Sequence, residues 1–285
     1  MKKSLAEKDL QYIWHPYTHQ KNMLPPVPVV RSKGTLLFDE DGNEYIDAIS
    51  SWWVNLHGHA HPFIAKKIYK QAKTLGHIIF AGFTHKPAVN LAKKILHLLP
   101  GNFEKIFFSD NGSTAVEVAL KMALQFWANG NEKRKKVVAL HHSYHGDTFG
   151  AMSVSARSVF TKPFDDKLFE IIFVDAPTHE NLPQLKSEIE QFKDEIACFI
   201  YEPLLQGAGG MKMYDPYCLN DLLSFLQKNN IICIADEVLT GFYRTGKMFA
   251  SEFLKLQADI ICLSKGLTGG TMALGITACT AKIYD

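Results

Sequence analysis

From about residue 100 the chain alternates short apolar runs with helical stretches, and this rhythm constrains the fold more than any other feature. The runs are KIFFS (105–109), KVVALHH (136–142), EIIFVD (170–175), ACFIYE (197–202), IICIAD (231–236), DIICLS (259–264) and LGITACT (274–280). Short runs that lack polar alternation read as strands buried on both faces, and strands separated by helices read as a parallel sheet. The expected fold class is therefore α/β, a mostly parallel sheet sandwiched by helices. Between the first two runs, Ala115, Val118, Ala119, Met122 and Phe126 recur at helical spacing and predict a helix docking that stripe on the sheet. The first 50 residues differ. They carry Pro25, Pro26 and Pro28 and then TLLFDEDGNEYID, in which Asp41-Gly42 is a hairpin turn signal. The expected division is an N-terminal arm with a small antiparallel element at 1–50 and one large domain at 51–285.

A chain of 285 residues, 47% hydrophobic and 21% charged, can bury a sizeable core without metals or disulfides. Its 31 basic against 29 acidic residues leave +2, so nothing calls for a polyanion, and nucleic acid is not an expected partner. No apolar run approaches a membrane span, and Lys2 and Lys3 have no apolar segment behind them as a signal peptide would. Cys198, Cys218, Cys233, Cys262 and Cys279 are odd in number, lack C-x-x-C spacing and mostly sit inside apolar runs. They read as buried thiols in a reducing compartment, so a cytoplasmic location is expected.

In open sheets of this kind ligands bind beyond the carboxyl ends of the strands, so the polar residues after each apolar run are the candidates. After KIFFS comes Asp110-Asn111-Gly112-Ser113-Thr114 and then a helix, an arrangement of free N–H groups suited to a phosphate or to a plain helix cap. IICIAD ends in Asp236, and DIICLS is followed by Lys265 and a Gly-rich turn. On neighbouring parallel strands these two would enter one cleft. A lysine in such a cleft has its ammonium disfavoured and can become a Schiff-base amine, while a buried carboxylate can hold a pyridinium nitrogen protonated. Tyr144, in HHSYHGD, could stack on a flat ring. The histidines there and in HGHAHP (57–62) also raise a metal site, although no nearby carboxylates have ligand spacing, so no metal is expected. Adjacent Trp52 and Trp53 would point to opposite faces of an extended chain, leaving one free to wall a pocket.

The stretch IADEVLTGFYRTGKMFASEFLKLQADIICLSKGLTGG (234–270) resembles the signature of the class III pyridoxal-phosphate aminotransferases, which have the type I, aspartate-aminotransferase-like fold. WHPYT (14–18), SSWWVNLHGHAHP (50–62), DNGSTAVEVALKMALQFW (110–127), YHGDTFGAMSVS (144–155) and EPLLQGAGGMKMY (202–214) narrow the resemblance to the branch that acts on 8-amino-7-oxononanoate in biotin biosynthesis.

The resemblance implies pyridoxal 5'-phosphate as cofactor and a homodimer. It makes Lys265 the lysine that binds the cofactor and later shuttles the proton, and Asp236 the partner of the pyridinium nitrogen. Gly112 and Ser113 correspond to the phosphate-binding pair, Tyr144 to the residue packed on the ring and lining the substrate site, and Tyr17 and Trp52 to substrate contacts. The implied reaction is ping-pong transfer of an amino group from S-adenosylmethionine to 8-amino-7-oxononanoate, giving 7,8-diaminononanoate. Lysine is an alternative donor, and a diamine or 4-aminobutyrate an alternative substrate of the same family. Members of the family continue well beyond 274–280 into a small C-terminal domain with a substrate-carboxylate arginine and a phosphate contact from the partner subunit. The chain is therefore expected to be a C-terminally truncated copy lacking that domain, active or an inactive remnant.

Overall fold

A computed structural model describes residues 3–285, so Lys2 lies outside the described residues. The chain divides into two compact units between His77 and Ile78. The expected boundary at residue 50 falls inside the first of them.

The first unit opens with α1 (Leu5–Tyr12), started by a capping box in which Ser4 Oγ accepts from Glu7 N and the Glu7 carboxylate accepts from Ser4 N. Strands β1 (Val29–Lys33), β2 (Leu36–Asp39) and β3 (Glu44–Ile46) form an antiparallel sheet in sequence order. The β2–β3 pair is the hairpin predicted around Asp41-Gly42, with Leu37 opposite Tyr45. Asp39 organises its turn: its carboxylate accepts from the N–H groups of Asp41 and Asn43, the Asn43 amide and the Tyr45 hydroxyl. Led by the Asn43 amide, these bonds hold the Asp39 carboxyl below its ordinary range.

Next comes α2 (Ser50–Trp53), a single turn with φ between 49° and 67° throughout. The expectation that Trp52 and Trp53 lie in an extended chain is therefore wrong. The left-handed turn is sustained by Asp47, whose carboxylate accepts from both the N–H and the hydroxyl of Ser51. Helix α3 (Pro62–Thr74) closes the unit, with Pro62 in the first turn where its missing N–H costs nothing.

The second unit contains α4 (Lys86–Leu98), β4 (Phe103–Ser109), α5 (Gly112–Asn129), β5 (Lys136–Leu140), α6 (Phe149–Ser153), β6 (Ile171–Val174), α7 (Leu182–Glu190) and β7 (Ile196–Tyr201). A small hairpin of β8 (Leu205–Gln206) and β9 (Lys212–Met213) follows, then α8 (Pro216–Lys228), β10 (Ile232–Asp236), β11 (Ile260–Leu263), β12 (Gly275–Thr280) and α9 (Ala281–Tyr284). All seven predicted apolar runs are strands of one sheet, ordered β4-β12-β11-β10-β7-β5-β6. Only β12 runs against its neighbours β4 and β11, so the other six strands point the same way and deliver their carboxyl ends to one edge.

Strand parity splits the core into two layers. Val138, Leu140, Phe199, Tyr201, Cys233, Ala235, Ile261 and Leu263 pack with Ile95 of α4, Leu185 and Ile189 of α7 and Leu219, Leu222, Leu223 and Leu226 of α8. Val137, Ala139, Cys198, Ile200, Ile232, Ile234, Ile260 and Cys262 face α5 and α6 instead. The sandwich expected from the sequence is thus present.

Helix α5 docks on a different stripe from the one predicted. Ala115, Val116, Ala119, Leu120, Ala123 and Trp127 are buried, while Val118, Met122 and Phe126 are only partly so. The three alanines allow close approach to the sheet, and Trp127 Nε1 reaches the Ala197 carbonyl at 2.8 Å. All five cysteines are free and buried, as expected. No helix among the described residues is long and apolar enough to cross a membrane.

Candidate active site

The carboxyl edge of the sheet gathers the polar residues that follow β4, β5, β7, β10 and β11. At the end of β4, the cap of α5 is neither Ser113 nor Thr114 but Asn111. Its Oδ1 accepts from Thr114 N at 2.9 Å, and Thr114 Oγ1 returns the bond by accepting from Asn111 N at 2.9 Å. The first-turn N–H groups of Gly112 and Ser113 then have no intrahelical acceptor and stand at the positive end of the helix. A Cβ on Gly112 would lie 2.8 Å from Val238 Cγ1 and 3.6 Å from Ser264 Cβ, so glycine keeps open the space between α5 and the strand ends. At the same edge Gly275, the first residue of β12, brings its backbone against Asn111, where a Cβ would lie 2.2 Å from the Asn111 carbonyl oxygen.

Asp236 and Lys265 come from adjacent parallel strands. Asp236 pairs in register with Cys262, and Lys265 lies three residues further, in a short 3-10 turn beyond β11. Lys265 itself has φ 43°, a left-handed conformation that strains a residue with a side chain. Burial pushes its ammonium below the ordinary lysine range, opposed by Asp236 and Glu202 and assisted by Arg244. An amine so placed is readied to lose its proton and act as nucleophile or base. Asp236 is buried, and its carboxylate meets His145 Nδ1 at 2.7 Å and accepts from Val238 N at 3.0 Å.

The loop after β5 carries Tyr144, His145 and Asp147. Tyr144 donates its hydroxyl to Asp147 Oδ2 at 2.7 Å, and Asp147 N donates to Ser113 Oγ at 3.2 Å, which ties the loop to the first turn of α5. Tyr144 N also points to Glu202 Oε2 at 3.4 Å. Glu202 follows β7 and accepts from Gly207 N on its other oxygen. It is 4% exposed, and burial, reinforced by Asp236 and opposed by His145, raises its carboxyl to about 7. The structure therefore brings Gly112, Ser113, Tyr144, Asp236 and Lys265 to one edge of the second unit.

From the sequence His145 is only one of the histidines that raise a metal site, not the partner of Asp236, and Glu202 is not a candidate. Their signals were present: a strand-end aspartate buried in a dry sheet requires a partner, and Glu202 directly follows the apolar run ACFIY. Open N–H groups at a helix start, a buried carboxylate and a desolvated lysine fit a flat, phosphorylated pyridine. The buried His145 Nε2, which has no hydrogen-bond partner, adds an unsatisfied polar atom beside Asp236.

Tyr17 and Trp52 belong to the first unit, where their rings stack at 5.9 Å and 23°, and Trp53 meets Trp52 edge-on at 6.0 Å. Trp52 is 56% exposed. The histidine clusters have other work. His59 Nε2 pairs with Asp47 at 2.9 Å, His57 and His61 meet ring to ring, and His141 stacks on Phe173. Among the described residues, the grouping spaced for a metal is His179, Asp215 and Cys218, which includes no residue of either cluster and whose Asp215 already caps α8.

The class III aminotransferase family model matches residues 17–285. The adenosylmethionine-8-amino-7-oxononanoate aminotransferase of Synechococcus elongatus is 50% identical over 96% of this chain and 67% of the relative, and that of Staphylococcus aureus 39% identical over 99% and 66%. The crystal structure of the enzyme of that name from Methanocaldococcus jannaschii superposes with a TM-score of 0.93 at 39% identity, covering 98% of this chain and 66% of that one. An omega transaminase from Pseudomonas jessenii superposes with the same TM-score at 30% identity, over 99% and 66%. The chain thus spans about two thirds of the length of the relatives it matches, and its sheet is that of the type I pyridoxal-phosphate fold, as expected. With the sheet edge, the signature and these likenesses in agreement, this chain belongs to the class III aminotransferases, a family of pyridoxal-phosphate enzymes.

Proposed function

We propose that this chain carries the cofactor-holding part of an aminotransferase that converts 8-amino-7-oxononanoate to 7,8-diaminononanoate in biotin biosynthesis, with S-adenosylmethionine as amino donor. The observation that carries the reading is Lys265, desolvated at a strand end beside Asp236. The choice of substrate is supported by the names of the relatives at 39–50% identity, against 30% for the omega transaminase.

Pyridoxal phosphate, when bound, supplies an electron sink for the carbon that loses or gains the amino group. The residues do the rest. The Gly112 and Ser113 N–H groups would hold the phosphate and Asp236 would pair with the protonated pyridine nitrogen, while His145 Nδ1 keeps that carboxylate oriented. Tyr144, held by its hydroxyl bond to Asp147, would cover the ring and line the substrate site. Lys265 Nζ would hold the cofactor and would be the group that accepts and returns a proton at the reacting carbon, a role favoured by the burial that pushes its ammonium below the ordinary lysine range. Within the first unit, the stacked Tyr17 and Trp52 would offer an aromatic face to the amino-oxononanoate chain. A homodimer is supported by the large apolar side chains left exposed, among them Trp14, Leu24, Ile46, Phe63 and Tyr69. A cytoplasmic location is supported by five free cysteines.

Purified chain with saturating cofactor is expected to form 7,8-diaminononanoate with S-adenosylmethionine in preference to lysine. Turnover with 4-aminobutyrate or a diamine instead would replace the substrate assignment, and no turnover with any donor would favour an inactive remnant.

A further inference from the structure

The segment from Tyr144 to Ala151 lies along α5, and two matched pairs of residues meet there. A Cβ on Gly146 would lie 2.1 Å from Ser113 Oγ, and a Cβ on Gly150 would lie 2.2 Å from Glu117 Oε2. Ser113 and Glu117 are four residues apart, one helical turn, and so are the two glycines. The close approach is used for bonding. Ser113 Oγ accepts from Asp147 N at 3.2 Å, and a single oxygen of Glu117, Oε1, accepts from Gly150 N at 2.6 Å and Ala151 N at 3.1 Å. Those two N–H groups open α6, whose own N-cap Thr148 makes no capping bond and keeps its hydroxyl oxygen buried without a partner. Glu117 therefore caps one helix from the side of another, with its charge at the favourable end.

We propose that Glu117 is a positioning residue for the transamination proposed above: by anchoring Gly150 and Ala151 to α5 it fixes Tyr144, through Asp147 and Ser113, relative to the helix start that holds the phosphate. The catalytic consequence rests on the aminotransferase reading, whereas the anchor itself does not. Because both N–H groups use one oxygen, the charge is dispensable. An amide oxygen in the same place accepts both bonds, so Glu117→Gln retains the anchor and Glu117→Ala removes it.

The first readout is amide hydrogen exchange in the cofactor-free chain. Glu117→Ala is expected to accelerate exchange at Gly150 and Ala151 by about tenfold or more, with Glu117→Gln within about threefold of the parent. The second is the loaded protein. Glu117→Ala is expected to keep the cofactor on Lys265 while weakening its circular dichroism and raising KM for 8-amino-7-oxononanoate by about tenfold, and Glu117→Gln to restore both. Unchanged exchange in Glu117→Ala overturns the anchor. Equal loss of thermal stability in both variants with unchanged dichroism overturns the positioning role. Should Glu117→Ala fail to fold, Gly150→Ala presses on the same carboxylate and must give the same exchange signature, or the inference is wrong. A parent chain without turnover would count against the aminotransferase reading, and the exchange data would still decide the anchor.

Discussion

Both units contain bonded aspartate–histidine pairs, and Asp47–His59 in the first and Asp236–His145 in the second differ in what surrounds them. In the N-terminal unit Asp47 meets His59 at 2.9 Å with the histidine side chain 19% exposed. In the sheet unit Asp236 meets His145 at 2.7 Å with that side chain at 0%. Around the first pair only Phe38 and Asp39 are buried among the described residues of the unit, and Trp14 and Leu24 stand more than four-fifths exposed. Around the second lie β7 and β10, buried at every residue. The same chemical pair is an ordinary loop tie where water reaches it and part of a tuned site where the sheet excludes water, because electrostatic interactions strengthen and unpaired groups become costly in a dry interior.

Substitutions should expose that difference. Asp236→Ala leaves His145 Nδ1 and Val238 N without an acceptor inside the core, so it is expected to cost about 3–5 kcal/mol by denaturant unfolding and to abolish cofactor retention. Asp47→Ala, removing the equivalent partner of His59, is expected to cost about 1 kcal/mol; comparable losses at the two sites would erase the distinction.

Glu202 provides a pH test of the dry edge. Its native carboxyl is raised to about 7 from an ordinary 4.5, so the native chain binds the proton more tightly than the unfolded one. The associated stability is complete below pH 4.5 and is lost as pH rises through 7. By linkage the loss reaches about 3 kcal/mol. Measured from pH 5 to 8, the melting temperature of Glu202→Gln relative to the parent should rise with pH; a constant difference would mean the carboxylate is solvated.

The smallest effect is expected at Trp52. Being more than half exposed, Trp52→Ala should change unfolding free energy by less than about 1 kcal/mol while raising KM for 8-amino-7-oxononanoate. A large stability loss would show that the indole is core.

What was legible in the sequence followed the same division. Strand runs were readable because strands covered on both faces carry an unbroken apolar signal, and Asp236 and Lys265 because each interrupts such a run at its end. The reversed direction of β12 was not readable, since an apolar run carries no arrow. Neither was the docked stripe of α5, whose residues 115–127 are apolar on more than one side, so adjacent stripes satisfy the same spacing. The left-handed turn at Ser50–Trp53 depends on bonds from Asp47 that no local preference announces. In the sequence Glu117 is one polar position on a helix with nothing to mark it; its role appears only when Gly150 is brought against it.

On the proposed function, the carboxyl edge of the sheet presents Lys265 as the cofactor-binding amine. Borohydride reduction of the chain incubated with pyridoxal phosphate, followed by peptide mass spectrometry, should place one stoichiometric phosphopyridoxyl group on Lys265 and none in Lys265→Ala. A group distributed over surface lysines, or retained in full by Lys265→Ala, would contradict it.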